Sequence, residues 1–116
     1  MQEATYSKRS GEFQNVRHIA TAGAVAFEWT FYKHGGPDGV VKIDGVQVGQ
    51  QSFGGSLAMQ KEAALRFVAE LADDQAAQEA FKAERIATLE GRIVKAELAK
   101  VRAQEALVVL KRELGR

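Results

Sequence analysis

The segment Val25-Ala26-Phe27-Glu28-Trp29-Thr30-Phe31-Tyr32 constrains this chain more than any other, because large apolar side chains recur at every second position. Neighbouring side chains on a β-strand point to opposite faces, so Val25, Phe27, Trp29 and Phe31 share one face and Ala26, Glu28, Thr30 and Tyr32 the other. An uncovered ring of this kind leaves on the order of 150–250 Å² in water. At about 25 cal/mol per Å², that costs several kcal/mol for each ring. The chain must therefore supply a second layer over this face. The other role for such a row, a base-stacking platform, needs exposed rings interleaved with Lys and Arg. Here one lysine, Lys33, ends the segment and Glu28 lies on the reverse face. Tyr32, the aromatic ring of that reverse face, is the better candidate for ligand contact.

Strands to pair with this one lie on both sides of it. Phe13, Val16, Ile19 and Ala20 allow a strand over 13–22, and Gly23 offers the positive φ of a tight turn into the aromatic strand. His34-Gly35-Gly36-Pro37-Asp38-Gly39 ends it in a loop. Beyond the loop, Asp44-Gly45 between two β-branched runs is the signature of a two-residue hairpin turn, which predicts strands over Val40 to Ile43 and Val46 to Phe53. The opening residues, with Ser7, Lys8, Arg9, Ser10 and Gly11, offer nothing to bury and are expected to form a flexible arm over 1–12.

A meander of about 40 residues buries too little surface to offset its chain entropy. The nearest lid is a helix opened by Ser56 as N-cap and running from Leu57 to about Leu71, with Leu57, Ala64, Phe67 and Leu71 along one stripe. Asp73-Asp74 then interrupts the pattern before a second helix to about Leu114. One bent helix is the alternative, since neither Gly nor Pro stands at the break. The expected fold class is thus α+β: a four-stranded antiparallel meander followed by a short and a long helix. Within one domain, the sheet and its covering helix occupy 13–72 and the helical arm 73–116.

In the long helix Ile86, Leu89, Ile93, Ala96, Lys100, Ala103, Leu107, Leu110 and Leu114 follow steps of three and four residues, the a/d seam of a coiled coil. In that register Arg85 and Arg92 take g positions and Glu90 and Glu97 take e positions, so parallel copies pair Arg85 with Glu90 and Arg92 with Glu97 across the seam. Lys100, Ala96 and Ala103 make the middle of the seam thin. A second stripe, Val94, Leu98, Val101 and Val108, follows another face. The short helix folding back on the long one is the intrachain alternative, but it covers less than half of that length. Self-association through Ile86, Leu89, Ile93, Ala96, Leu107, Leu110 and Leu114 is therefore expected, as a homo-oligomer.

Charge excludes more than it assigns. With 16 basic and 15 acidic residues in 116, the net charge of +1 gives no basic stripe for nucleic acid or a membrane surface. No apolar run approaches the roughly 18 residues of a membrane span. The opening residues lack the apolar centre of a secretory signal and Cys is absent, so a cytoplasmic location is expected, or the host cytoplasm for a phage-encoded chain. His18 and His34 are the two imidazoles, no metal-ligand spacing occurs, and neither a cofactor nor catalysis is expected.

One local feature suits an anion. Gly54-Gly55-Ser56 opens a helix, and glycine backbone with unpaired amides holds phosphate or carboxylate, although such a loop also serves as a plain connection. Its spacing is neither that of a Walker motif nor of a dinucleotide fingerprint. Arg17, His18 and Lys42 on the sheet are candidates for the counter-charge, while Arg66 lies too far along the helix. The leading expectation is a non-catalytic oligomeric binding protein acting on a protein partner. The alternatives are a protein that sequesters a nucleotide-like or phosphorylated ligand at a subunit boundary, and an assembly factor of a phage or cell envelope. Phage counter-defence proteins share this organisation, as an analogy of organisation alone.

Overall fold

The computed structural model describes residues 3–10, 16–32 and 38–115. Five strands, β1 (Thr5–Ser10), β2 (Val16–Ala22), β3 (Val25–Thr30), β4 (Gly39–Ile43) and β5 (Val46–Gln51), are followed by α1 (Leu57–Ala72) and α2 (Gln75–Leu114). Each strand pairs antiparallel with the next, in the order β1-β2-β3-β4-β5. The chain divides into two compact units, Met1–Arg85 and Ile86–Arg116.

The α+β class and the meander followed by two helices are as the sequence indicates, but the sheet has five strands rather than four. The additional strand is β1, which lies within the stretch expected to be a flexible arm. The pattern of its residues conceals it because an edge strand is held by backbone hydrogen bonds on one side and needs few apolar side chains. Of its six residues, Tyr6 alone is even half-buried. The first expected strand begins at Val16; residues 13–15, like the loop residues 34–37, lie outside the described residues. The aromatic strand ends at Thr30, leaving Phe31 half-buried beyond it, and β5 stops at Gln51 rather than Phe53.

Both predicted turns form. Gly23 has φ 57°, and Asp44 and Gly45 have φ 53° and 80°, the paired positive values that a two-residue hairpin of this type requires. The covered face of the sheet carries Ala20, Ala22, Val25, Phe27, Trp29, Val41, Ile43 and Val48, against which α1 packs Ala64, Val68 and Leu71. Phe27 meets Phe53 and Phe67 edge-on at 5.3 and 5.9 Å between ring centroids, and Phe67 meets Phe81 of α2 at 6.4 Å. Gly49 of β5 makes room for Phe81, since a Cβ there would come within 2.8 Å of the ring.

The break between the helices is made by side chains. Ser56 caps α1 by accepting from the Met59 amide at 3.2 Å, and Asp74 caps α2 by accepting from the Ala77 amide at 3.0 Å. Buried Gln78 donates through Nε2 to the carbonyls of Leu71 and Ala72, at 2.9 and 3.2 Å, adding to the bond that the Leu71 carbonyl takes from the Asp74 amide at 3.1 Å.

Replacing Trp29 by Ala empties part of the core and is expected to cost about 3–5 kcal/mol. Tyr32→Ala, at a side chain 42% exposed, is expected to cost under about 1 kcal/mol. Urea unfolding followed by circular dichroism checks both, and equal losses would overturn the assignment of strand faces.

Candidate functional site

Strand register places the polar groups of the covered face. Lys8 lies opposite His18, which lies opposite Trp29, while Tyr6 lies opposite Ala20 one pleat away. Because side chains alternate, Tyr6, Lys8, His18 and Trp29 share the face that α1 covers. Tyr6 Oη and His18 Nδ1 are 2.6 Å apart in a part-buried hydrogen bond. With the hydroxyl donating to a neutral ring, the proton of His18 sits on Nε2, which keeps a donor free for another group. The rings of Tyr6 and His18 stack at 5.9 Å between centroids, and Trp29 lies 5.3 Å from His18 and 6.4 Å from Tyr6, so the three rings form a triangle. From α1, Lys61 places Nζ 4.0 Å from the Tyr6 ring centroid, a cation–π contact.

Tyr6, Lys8 and His18 border a cleft of about 420 Å³, and Lys61 neighbours it through its contact with the Tyr6 ring. Tyr6, Lys8, His18 and Thr30 are its polar lining and Val16, Phe31 and Leu57 its apolar lining. The volume lies within the ~300–1,000 Å³ of small-molecule sites. Leu57 is the first residue of α1, so the helix begins at this cleft.

The electrostatics of the two sheet faces differ. His18 is 6% exposed, and burial, followed by the positive charges of Lys8 and Lys61, pushes its pKa below the ordinary value of 6.5. On the opposite face Glu28 binds Lys42 at 2.7 Å and Arg17 at 3.0 Å. Burial alone would raise the carboxyl, but hydrogen bonds from Lys42 and then Arg17 outweigh it and hold Glu28 below 4.5. Arg17 and His18, adjacent in sequence, therefore point to opposite faces.

The ligand residues suggested by the sequence are thus divided in space. Arg17 and Lys42 converge on Glu28, His18 faces the cleft, and Tyr32 stands exposed after β3. At the Gly54-Gly55-Ser56 loop, Gly55 has φ 93°, the Ser56 hydroxyl holds the Met59 amide, and the Gly55 carbonyl accepts from Gln60 Nε2 at 3.3 Å. The connection to the cleft comes one residue later, through Leu57. Tyr6, Lys8 and Lys61 are the members that pattern reading passes over. The alternation Tyr6-Ser7-Lys8, weighed as a strand rather than as an arm, was the available signal.

In the second unit every described residue of Ile86–Gly115 is exposed, including Ile86, Leu89, Ile93, Ala96, Leu107, Leu110 and Leu114 of the seam. The other stripe, Val94, Leu98, Val101 and Val108, is between 47% and 55% exposed. Among the described residues no helix is long and apolar enough to cross a membrane, and no group of three metal-ligating side chains comes together. Comparison with protein-family models, with curated proteins and with solved structures finds no match.

The lowered pKa of His18 has a consequence for stability. Below about pH 6.5 the unfolded chain takes up a proton that the folded chain resists, so stability is lost as pH falls from there toward the folded value. Glu28, whose depressed value acts below 4.5, leaves this window untouched. The urea midpoint is expected to drop between about pH 7 and pH 5 in the native chain and to change less in His18→Gln. Parallel curves for the two proteins would remove His18 from the account.

Proposed function

We propose that the protein is a non-catalytic oligomeric binding protein whose helical arms join copies and whose sheet units present a binding surface. The observation that supports this most is the run of apolar side chains on α2 between Ile86 and Leu114, exposed on a helix of 40 residues. An isolated helix with two apolar stripes leaves in water a surface that a second copy would bury. Self-pairing also satisfies the charges: at g and e positions, Arg85 and Arg92 of one copy meet Glu90 and Glu97 of another in parallel.

A pair closed through the seam still leaves Val94, Leu98, Val101 and Val108 in water. Contact between pairs through this second stripe would cover both, which suits an even-numbered assembly. A protein partner is the expected client of the sheet units.

Light scattering at tens of micromolar is expected to give an even multiple of the chain mass. Ile93→Asp with Leu107→Asp places unpaired carboxylates in the seam and is expected to dissociate the assembly while leaving Trp29 fluorescence native. A monomeric native chain would sink the proposal.

A further inference from the structure

We propose that the cleft beside the Tyr6–His18 pair binds a small organic anion, a carboxylate or phosphate monoester. Its oxygens are held by Lys8, Lys61 and His18, and its apolar body lies on Val16, Phe31 and Leu57. This site is separate from the helical arm and does not depend on the assembly.

Three features carry the inference. The first is charge. The ionised groups whose fields reach His18 are Lys8 from β1 and Lys61 from α1, both positive, while Tyr6 and Trp29 are its uncharged neighbours. Glu28, the acid of the central strand, is on the opposite face and already bound by Arg17 and Lys42. Glu62 of α1 pairs outward with Arg66, with both side chains more than two-thirds exposed. Two cations near one neutral imidazole, with no acid reaching it, favour an anion beside it.

The second feature is the hydrogen-bonding inventory. Tyr6 engages Nδ1 of His18, which fixes the ring and leaves Nε2 to donate. Lys61 rests on the Tyr6 ring, a weak contact that a charge-assisted hydrogen bond readily replaces. Beside His18 and Tyr6, the indole Nε1 of Trp29 is buried with no protein partner among the described residues. The third feature is shape. The cleft of about 420 Å³ is lined by both polar and apolar side chains, so it suits an anion that carries a hydrocarbon or aromatic body better than a bare inorganic ion.

Anion binding makes protonation of His18 favourable, which reverses the effect of its surroundings in the free protein. Affinity therefore rises as pH falls, and the ring titrates at higher pH in the complex. Trp29 is the single tryptophan and lies against His18, so its fluorescence reports occupancy without a label.

The test uses the full chain titrated with phenyl phosphate and, separately, benzoate, followed by Trp29 fluorescence and by the ring proton signals of His18. Saturable binding is expected for at least one probe, and the tighter probe identifies the head group. Affinity is expected to strengthen at least about threefold from pH 7.5 to pH 6, and to fall about tenfold or more in Lys8→Met with Lys61→Met. His18→Gln removes one of the three groups that hold the anion, and is expected to weaken binding and to abolish its pH dependence. A silent titration with both probes to about 10 mM would overturn the inference. So would undiminished affinity in the double lysine variant whose circular dichroism is native. Neither result bears on the oligomeric state, which scattering reads independently.

Discussion

The fold depends on the coverage of one ring. Phe27 lies at the centre of the sheet, is 1% exposed, and touches aromatic partners from three directions: Trp29 on its own strand, Phe53 beyond β5 and Phe67 on α1. The sheet neighbour is equally bound to it, because a Cβ at Gly39 would run into the Phe27 ring. The position of α1, the path of the chain between β5 and α1, and the absence of a side chain where β4 begins all answer to this ring. A smaller residue here would loosen the sheet, the connection and the helix together, since the contacts share one partner.

The same constraint shapes the helix junction. Once α1 lies over the sheet, Phe81 must approach β5 at Gly49, which requires the chain to turn sharply after Ala72. Gln78 makes the turn tolerable by binding carbonyls that the end of α1 exposes within a buried region. Asp73 and Asp74 mark the turn in the sequence, whereas the glutamine that stabilises it shows no pattern, because its role is set by where its side chain arrives.

What was legible in the sequence follows from periodicity. Val25, Phe27 and Trp29 declare their strand, Asp44-Gly45 its hairpin and Ser56 its cap, each through a local rule that tertiary contacts leave in force. Residues 5–10 escaped because backbone pairing with β2, not side-chain pattern, makes them a strand. The site was legible to the same degree. His18 stands out as one of two histidines, but its pairing with Tyr6 depends on a register between strands separated by a turn, and Lys61 arrives from a helix. Arg17 and Lys42 looked available because a one-dimensional reading does not say which face carries their acid, Glu28.

The cleft has walls of unequal permanence. His18 and Trp29 belong to β2 and β3, strands paired on both sides and packed beneath α1, while Tyr6 and Lys8 ride on β1, which is tied to the sheet along one side and starts the order of strands. Edge strands open at lower free energy than central ones, and an opening of β1 carries the tyrosine away from the histidine it restrains. The imidazole then gains water on the face that Tyr6 had closed, and its ring is free to rotate. The Nδ1 side of the ring, which Tyr6 closes, is thus exposed by the fraying of six residues and needs no opening of the whole fold. In a chain this small, the strand at the margin decides how firmly that one pair of side chains is held.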